Sequence, residues 1–118
     1  MQDRVFERIV RQAVEGLPPQ FKDALENIDI VIEDFPDPDD LEEMGIEPPL
    51  LGLYQGTPLP ERGLGETDLP DKISLYKGEF ERMGLRGKEL IDEIRITVLH
   101  EIGHYFGLED DELEEMGY

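Results

Sequence analysis

The chain has only two histidines, and they stand four residues apart in the run His100-Glu101-Ile102-Gly103-His104-Tyr105-Phe106-Gly107-Leu108-Glu109-Asp110. On an α-helix a four-residue step stacks side chains on one face, so both imidazoles aim at one point and are candidate metal ligands. Glu101 follows the first histidine directly and projects beside the pair, where its carboxylate is placed to act as general base toward a metal-bound water. Gly107 adopts a left-handed backbone at little cost, so the helix is expected to stop there and the chain to turn back. Asp110 then offers a third ligand, with Glu109, Asp111 and Glu112 beside it as alternative carboxylates. Three protein ligands leave the fourth position of a tetrahedral zinc open to water or a substrate carbonyl. The bland alternative is two helix histidines with an ordinary glutamate between them. The mostly apolar lead-in Ile94-Arg95-Ile96-Thr97-Val98-Leu99 and the spacing of the turn glycine and carboxylate favour the metal site.

Something must carry that helix through a core. Leu90, Ile91, Ile94, Val98 and Leu99 place an apolar stripe on a long helix from about Gly87 to Phe106. Val5, Phe6, Ile9, Val10, Ala13 and Val14 recur at helical intervals and predict an amphipathic helix over residues 3–15. Gly16 and Pro18-Pro19 stop it, and Pro19 opens a short second helix through Leu25. Residues 28–34 are rich in β-branched residues, with Ile28, Ile30 and Ile32 on one face, and predict a strand with one well-buried side. A short connector helix is expected over residues 37–45, with acids at its start and glycine at its end. Leu50–Gly56 and Lys72–Lys77 read as the second and third strands, the latter ended by Gly78. Phe80 and Met83 then fall in a short turn or helix closed by Gly84. The stretch Thr57–Asp71, with three prolines and two glycines, reads as a long exposed loop.

The segment His100–Asp110 resembles the extended motif of metzincin-like zincin metallopeptidases, in the variant whose third ligand is aspartate. With its length, acidity, the motif's place near the C-terminus and the Tyr76-Lys77-Gly78-Glu79-Phe80 segment, the chain is similar to the minimal zincin-like metallopeptidase family of small bacterial proteins. The resemblance implies an α+β fold, zincin-like, in which a small mixed sheet of about three to four strands packs on a long active-site helix. It also implies Zn2+ bound by His100, His104 and Asp110, with Glu101 catalytic, and either Leu50–Gln55 or Ile73–Tyr76 as the edge strand that receives substrate backbone. Larger metzincins place a methionine turn under the metal, well downstream of the third ligand. Only eight residues follow Asp110, so Met116 is read instead as a core contact of a short terminal helix.

At 118 residues the chain is expected to be one zincin-like metallopeptidase domain, residues 1–118. No cysteine is present, which excludes disulfides and thiolate zinc sites. No apolar run approaches a membrane span, and the N-terminus does not read as a signal peptide, so cytoplasmic residence is expected. Thirty acidic residues against eleven basic ones give a net charge of −19, which repels phosphate backbones and argues against nucleic-acid partners. If the acidic cluster Glu109–Glu115 borders the cleft, neutral or basic peptide or protein substrates are favoured.

The expected activity is zinc-dependent peptide bond hydrolysis. The alternatives are a metal-binding or peptide-binding module with little turnover, and a structural ion with a fourth protein ligand. Arg95 is expected to pair with an acidic neighbour or lie along the surface. Tyr105 points away from the ligand face, and Tyr54, Tyr76 and Tyr118 are not ranked by sequence.

Overall fold

The computed structural model describes residues 1–58, 60 and 71–117. The first helix, α1 (Asp3–Glu15), buries Phe6, Val10 and Ala13, which repeat at the helical period the sequence predicts. Helix α2 (Pro19–Ala24) starts at the expected proline and runs into a 3₁₀ turn over Leu25–Asn27. Strand β1 (Asp29–Glu33) follows, then α3 (Pro38–Met44), whose N-cap Asp37 accepts from the Asp39 N–H at 2.8 Å and whose C-cap Gly45 is left-handed. Strands β2 (Gly52–Gln55) and β3 (Lys72–Tyr76) complete the sheet. Three further helices close the chain: α4 (Lys77–Arg82), α5 (Gly87–Tyr105) and α6 (Asp110–Glu115).

The sheet order is β1-β3-β2, with β1 parallel and β2 antiparallel to β3, so the α+β class and the mixed three-strand sheet on a long helix are as expected. The central position falls to β3. Ile73 and Leu75 reach the main core with Phe6, Phe80, Ile94, Val98 and Ile102, all fully buried. Ser74 and Tyr76, on the opposite face by strand alternation, are buried too, so β3 is covered on both sides. Burial pushes the Tyr76 phenol above its ordinary range, and neighbouring Glu33 adds to the rise.

Two expectations are corrected. The face of β1 is less covered than its isoleucines suggest: Ile28 is buried, but Ile30 and Ile32 are only half-buried. They lie at the sheet edge, where α1 leaves a groove of about 380 Å³ between Val10, Val14 and the two isoleucines. The third strand ends at Tyr76, and Gly78 already belongs to α4, where its N–H donates to the Asp34 carbonyl at 2.7 Å.

Helix α5 rests on α1 and β2, and Arg95 ties the first contact. Its Nε donates to the Ala13 carbonyl at 3.1 Å, which also accepts the Gly16 N–H at 3.2 Å where α1 ends, and its Nη1 lies 3.5 Å from Asp92 Oδ1. Lys77, nearly buried, bonds Asp3 at the start of α1 and lies 3.4 Å from Asp34 after β1; the Asp3 contact holds its ammonium above the usual range. Among the described residues no helix is long and apolar enough to cross a membrane. Tyr118 and most of the loop expected over Thr57–Asp71 lie outside the described residues.

Candidate metal centre

The last turns of α5 carry the chemistry. His100 and His104 share one helix face, as a four-residue step provides, and their rings meet edge-to-face with centroids 4.9 Å apart and planes crossing at 80°. Both Nε2 atoms meet the same atom: Asp110 Oδ1 lies 3.1 Å from His100 Nε2 and 3.0 Å from His104 Nε2. The structure therefore brings together all three residues that the sequence nominates as ligands.

The turn after α5 makes this convergence. Gly107, at φ +87°, is the left-handed residue, and the paired bonds Gly107 N–H to His104 C=O and Leu108 N–H to Gly103 C=O, both 2.9 Å, form a Schellman motif. The same reversal sets the Leu108 carbonyl 3.0 Å from His104 Nδ1. A carbonyl can only accept, so Nδ1 carries the hydrogen and donates, which fixes the ring and leaves the Nε2 lone pair facing the centre.

That tautomer tests whether a metal suits the site. His104 Nε2 and Asp110 Oδ1 are then two acceptors facing each other at 3.0 Å, an arrangement relieved only by a proton or a cation between them. Tetrahedral zinc with bonds of about 2.0–2.2 Å to nitrogen and oxygen separates such donors by roughly 3.3 Å. Two imidazoles and one carboxylate are also a zinc donor set, so the residues fit.

Glu101 sits beside the ligands rather than among them in line. One donor atom from each of His100, Glu101 and His104 lies within 4.8 Å of the others, which makes Glu101 a geometric candidate for ligation as well. Asp110 Oδ1 stands 3.1 and 3.0 Å from the two Nε2 atoms, and Glu101 Oε1 is engaged elsewhere, accepting the Tyr54 N–H at 2.8 Å. Glu101 is 7% exposed, and burial raises its carboxyl above the ordinary range; the Tyr54 N–H and the His104 and His100 rings oppose that rise, and Asp110 reinforces it.

The other carboxylates have local work. Glu109 and Glu112 form a capping box at the start of α6, and Asp111 Oδ1 accepts the Glu112 N–H at 3.0 Å. Asp110 is left to face the histidines.

Three contributors escape the sequence reading. Tyr54 is the tyrosine at the site: its N–H holds Glu101, its hydroxyl donates to Asp71 Oδ1 at 2.6 Å, and its ring meets Tyr105 edge-on at 6.0 Å. Tyr105 is thus buried against Tyr54, away from the ligand face as expected. The Leu108 carbonyl is the second. The third is Leu113, 1% exposed, which takes the core contact expected of Met116; Met116 is 52% exposed. One apolar residue inside the acidic run Glu109–Glu115 was the available signal. Of the two segments considered as edge strands, β2 pairs with β3 alone among the described residues and carries Tyr54, whereas β3 is central.

Leu113 lies under Gly103, where an added Cβ would stand 2.3 Å from its Cδ2 and 3.0 Å from its Cδ1. Helix α6 can approach so closely only because residue 103 has no side chain, and that approach positions Asp110. Gly103→Ala is expected to weaken zinc binding by roughly the 10–100-fold seen when outer-shell support is lost. Adding Leu113→Ala should recover part of it. Chelator competition measures both, and wild-type affinity in Gly103→Ala would show that this contact does not set the third ligand.

A small α+β domain whose longest helix gathers two imidazoles, a carboxylate and a buried glutamate at a helix-ending turn has the build of a metal-dependent hydrolase. The chain belongs to the zincin-like metallopeptidase family, whose model matches residues 25–118. Among solved structures, a conserved hypothetical protein from Thermo thermophilus is similar over 98% of this chain and 97% of that one, at 26% identity and a TM-score of 0.56. No curated protein matches the chain.

Proposed function

We propose that this protein is a zinc-dependent peptidase in which His100, His104 and Asp110 hold the ion and Glu101 is the general base. The observation that carries the reading is the meeting of both Nε2 atoms on Asp110 Oδ1 at 3.0–3.1 Å, with the buried Glu101 carboxylate alongside. Zinc bound there supplies a Lewis acid for a peptide carbonyl and lowers the pKa of a water. Tyr54 N–H holds Glu101 Oε1, so Oε2 is the atom that accepts the proton and later delivers it to the leaving amine. The Leu108 carbonyl keeps His104 in the tautomer that ligation needs. An extended peptide would lie along β2, the edge strand nearest Glu101.

A purely structural ion needs a fourth protein ligand. The engagement of Glu109, Asp111 and Glu112 in the first turn of α6 speaks against one of them serving. The test is digestion of a peptide library by the metal-free protein, before and after addition of one equivalent of zinc. Cleavage only after zinc is expected. Tight zinc binding with every peptide intact would replace the peptidase by a binding or structural metal protein.

A further inference from the structure

Beside His104 lies a cleft of about 360 Å³, walled by Tyr54, Pro58, Pro60 and Leu108 and bordered by Glu109. It adjoins the metal centre on two sides: His104 is one of its walls, and Tyr54, another, holds Glu101 through its own N–H. A group resting in the cleft is therefore within a side chain's length of the base.

Building on the peptidase reading, we propose that this cleft receives a lysine or arginine side chain of the substrate, selected by Glu109. The volume is near the lower end of the ~300–1,000 Å³ typical of ligand sites, suited to one long side chain. Its walls are apolar or aromatic, which matches the hydrocarbon stem that lysine and arginine both carry. Glu109 is the one carboxylate among the described residues lining it, and it is exposed at the rim where a charged head would emerge. A glutamate in the same place would face Glu109 and an overall charge of −19 with no lysine or arginine on the described walls. At the start of α6 the Glu109 backbone N–H donates to Glu112 Oε1 at 3.2 Å, a bond that does not use the Glu109 side chain, so Glu109→Gln changes the charge and keeps it.

The experiment uses zinc-loaded full-length protein and quenched peptides of one sequence, with each position flanking the cleaved bond set in turn to Lys, Arg, Leu, Gln or Glu. One position should prefer Lys and Arg over Leu in kcat/KM by roughly two- to fivefold, the size of a part-exposed charge pair, and disfavour Glu. Glu109→Gln should bring the Lys-to-Leu ratio close to one. Glu114→Gln, which removes the same charge from an exposed position on α6, should leave the ratio intact. Cleavage without basic preference at any position, or a ratio insensitive to Glu109→Gln, overturns the subsite and leaves the peptidase standing. An equal loss of preference in both variants assigns the effect to bulk charge and likewise overturns it. If no peptide is cleaved, the peptidase reading fails and the subsite with it.

Discussion

Glu101→Gln is expected to lower peptide hydrolysis by about 10²–10⁴-fold, the range that general acid–base catalysis commands, while zinc affinity stays within a few-fold of wild type. The substitution is a sharp probe because of where the carboxylate sits. Glu101 is 7% exposed, and its Oε1 accepts the Tyr54 N–H at 2.8 Å, a bond that the glutamine carbonyl oxygen can keep. Strand β2 should therefore hold its place on α5, and the fold should be preserved. The ability to carry a proton at Oε2 is lost. Burial raises the carboxyl above its ordinary range, with the Tyr54 N–H and the two imidazoles opposing the rise. Calorimetric zinc titration beside peptide cleavage separates the two roles open to Glu101. Loss of zinc binding together with activity would make it a ligand, and full activity would remove it from the mechanism altogether.

The elements of this fold were legible wherever one period dominated. Helix α1 and helix α5 follow from stripes at three- and four-residue spacing, and α5 ends at Tyr105 before the left-handed Gly107 that its sequence announces. The convergence at the candidate site was legible for the same reason, since local spacing sets His100, Glu101 and His104 on neighbouring positions of one helix, and a turn glycine returns the chain toward Asp110. What periodicity cannot carry is which element covers which. Ile28, Ile30 and Ile32 alternate identically, yet Ile28, just before β1, is buried while Ile30 and Ile32, on the edge strand itself, are half-buried. Ser74 looks like the solvent side of a strand and is fully buried because β3 is central. Met116 and Leu113 are both apolar residues of a short acidic segment, and only the docking of that segment onto Gly103 decides which faces inward. Tyr54 contributes a backbone N–H to the base from 47 positions away in the chain, a role that no side-chain pattern encodes.

That docking leads to the sharpest test of the third ligand. Asp110→Asn is expected to reduce zinc affinity by more than ~100-fold, beyond the 10–100-fold cost of disturbing an outer-shell partner, because it removes a negative donor from the centre itself. At a fixed zinc concentration far above the wild-type Kd, a 100-fold loss of affinity withdraws about 2.7 kcal/mol of zinc-linked stability, visible as a smaller zinc-induced rise in Tm. In the metal-free protein the same change should cost little, since the Asp110 side chain is 73% exposed and asparagine keeps its shape. Asp111→Asn and Glu112→Gln should stay within a few-fold of wild type, because their carboxylates serve the backbone of α6. The contrast is demanding: the three positions share one short acidic run and nearly the same local charge, so mere electrostatic attraction of zinc to that run predicts equal losses. Only direct ligation singles out position 110. A full-affinity Asp110→Asn protein paired with a crippled Glu112→Gln would move the third ligand further along α6, and the Leu113 contact under Gly103 would then fix the position of a different carboxylate.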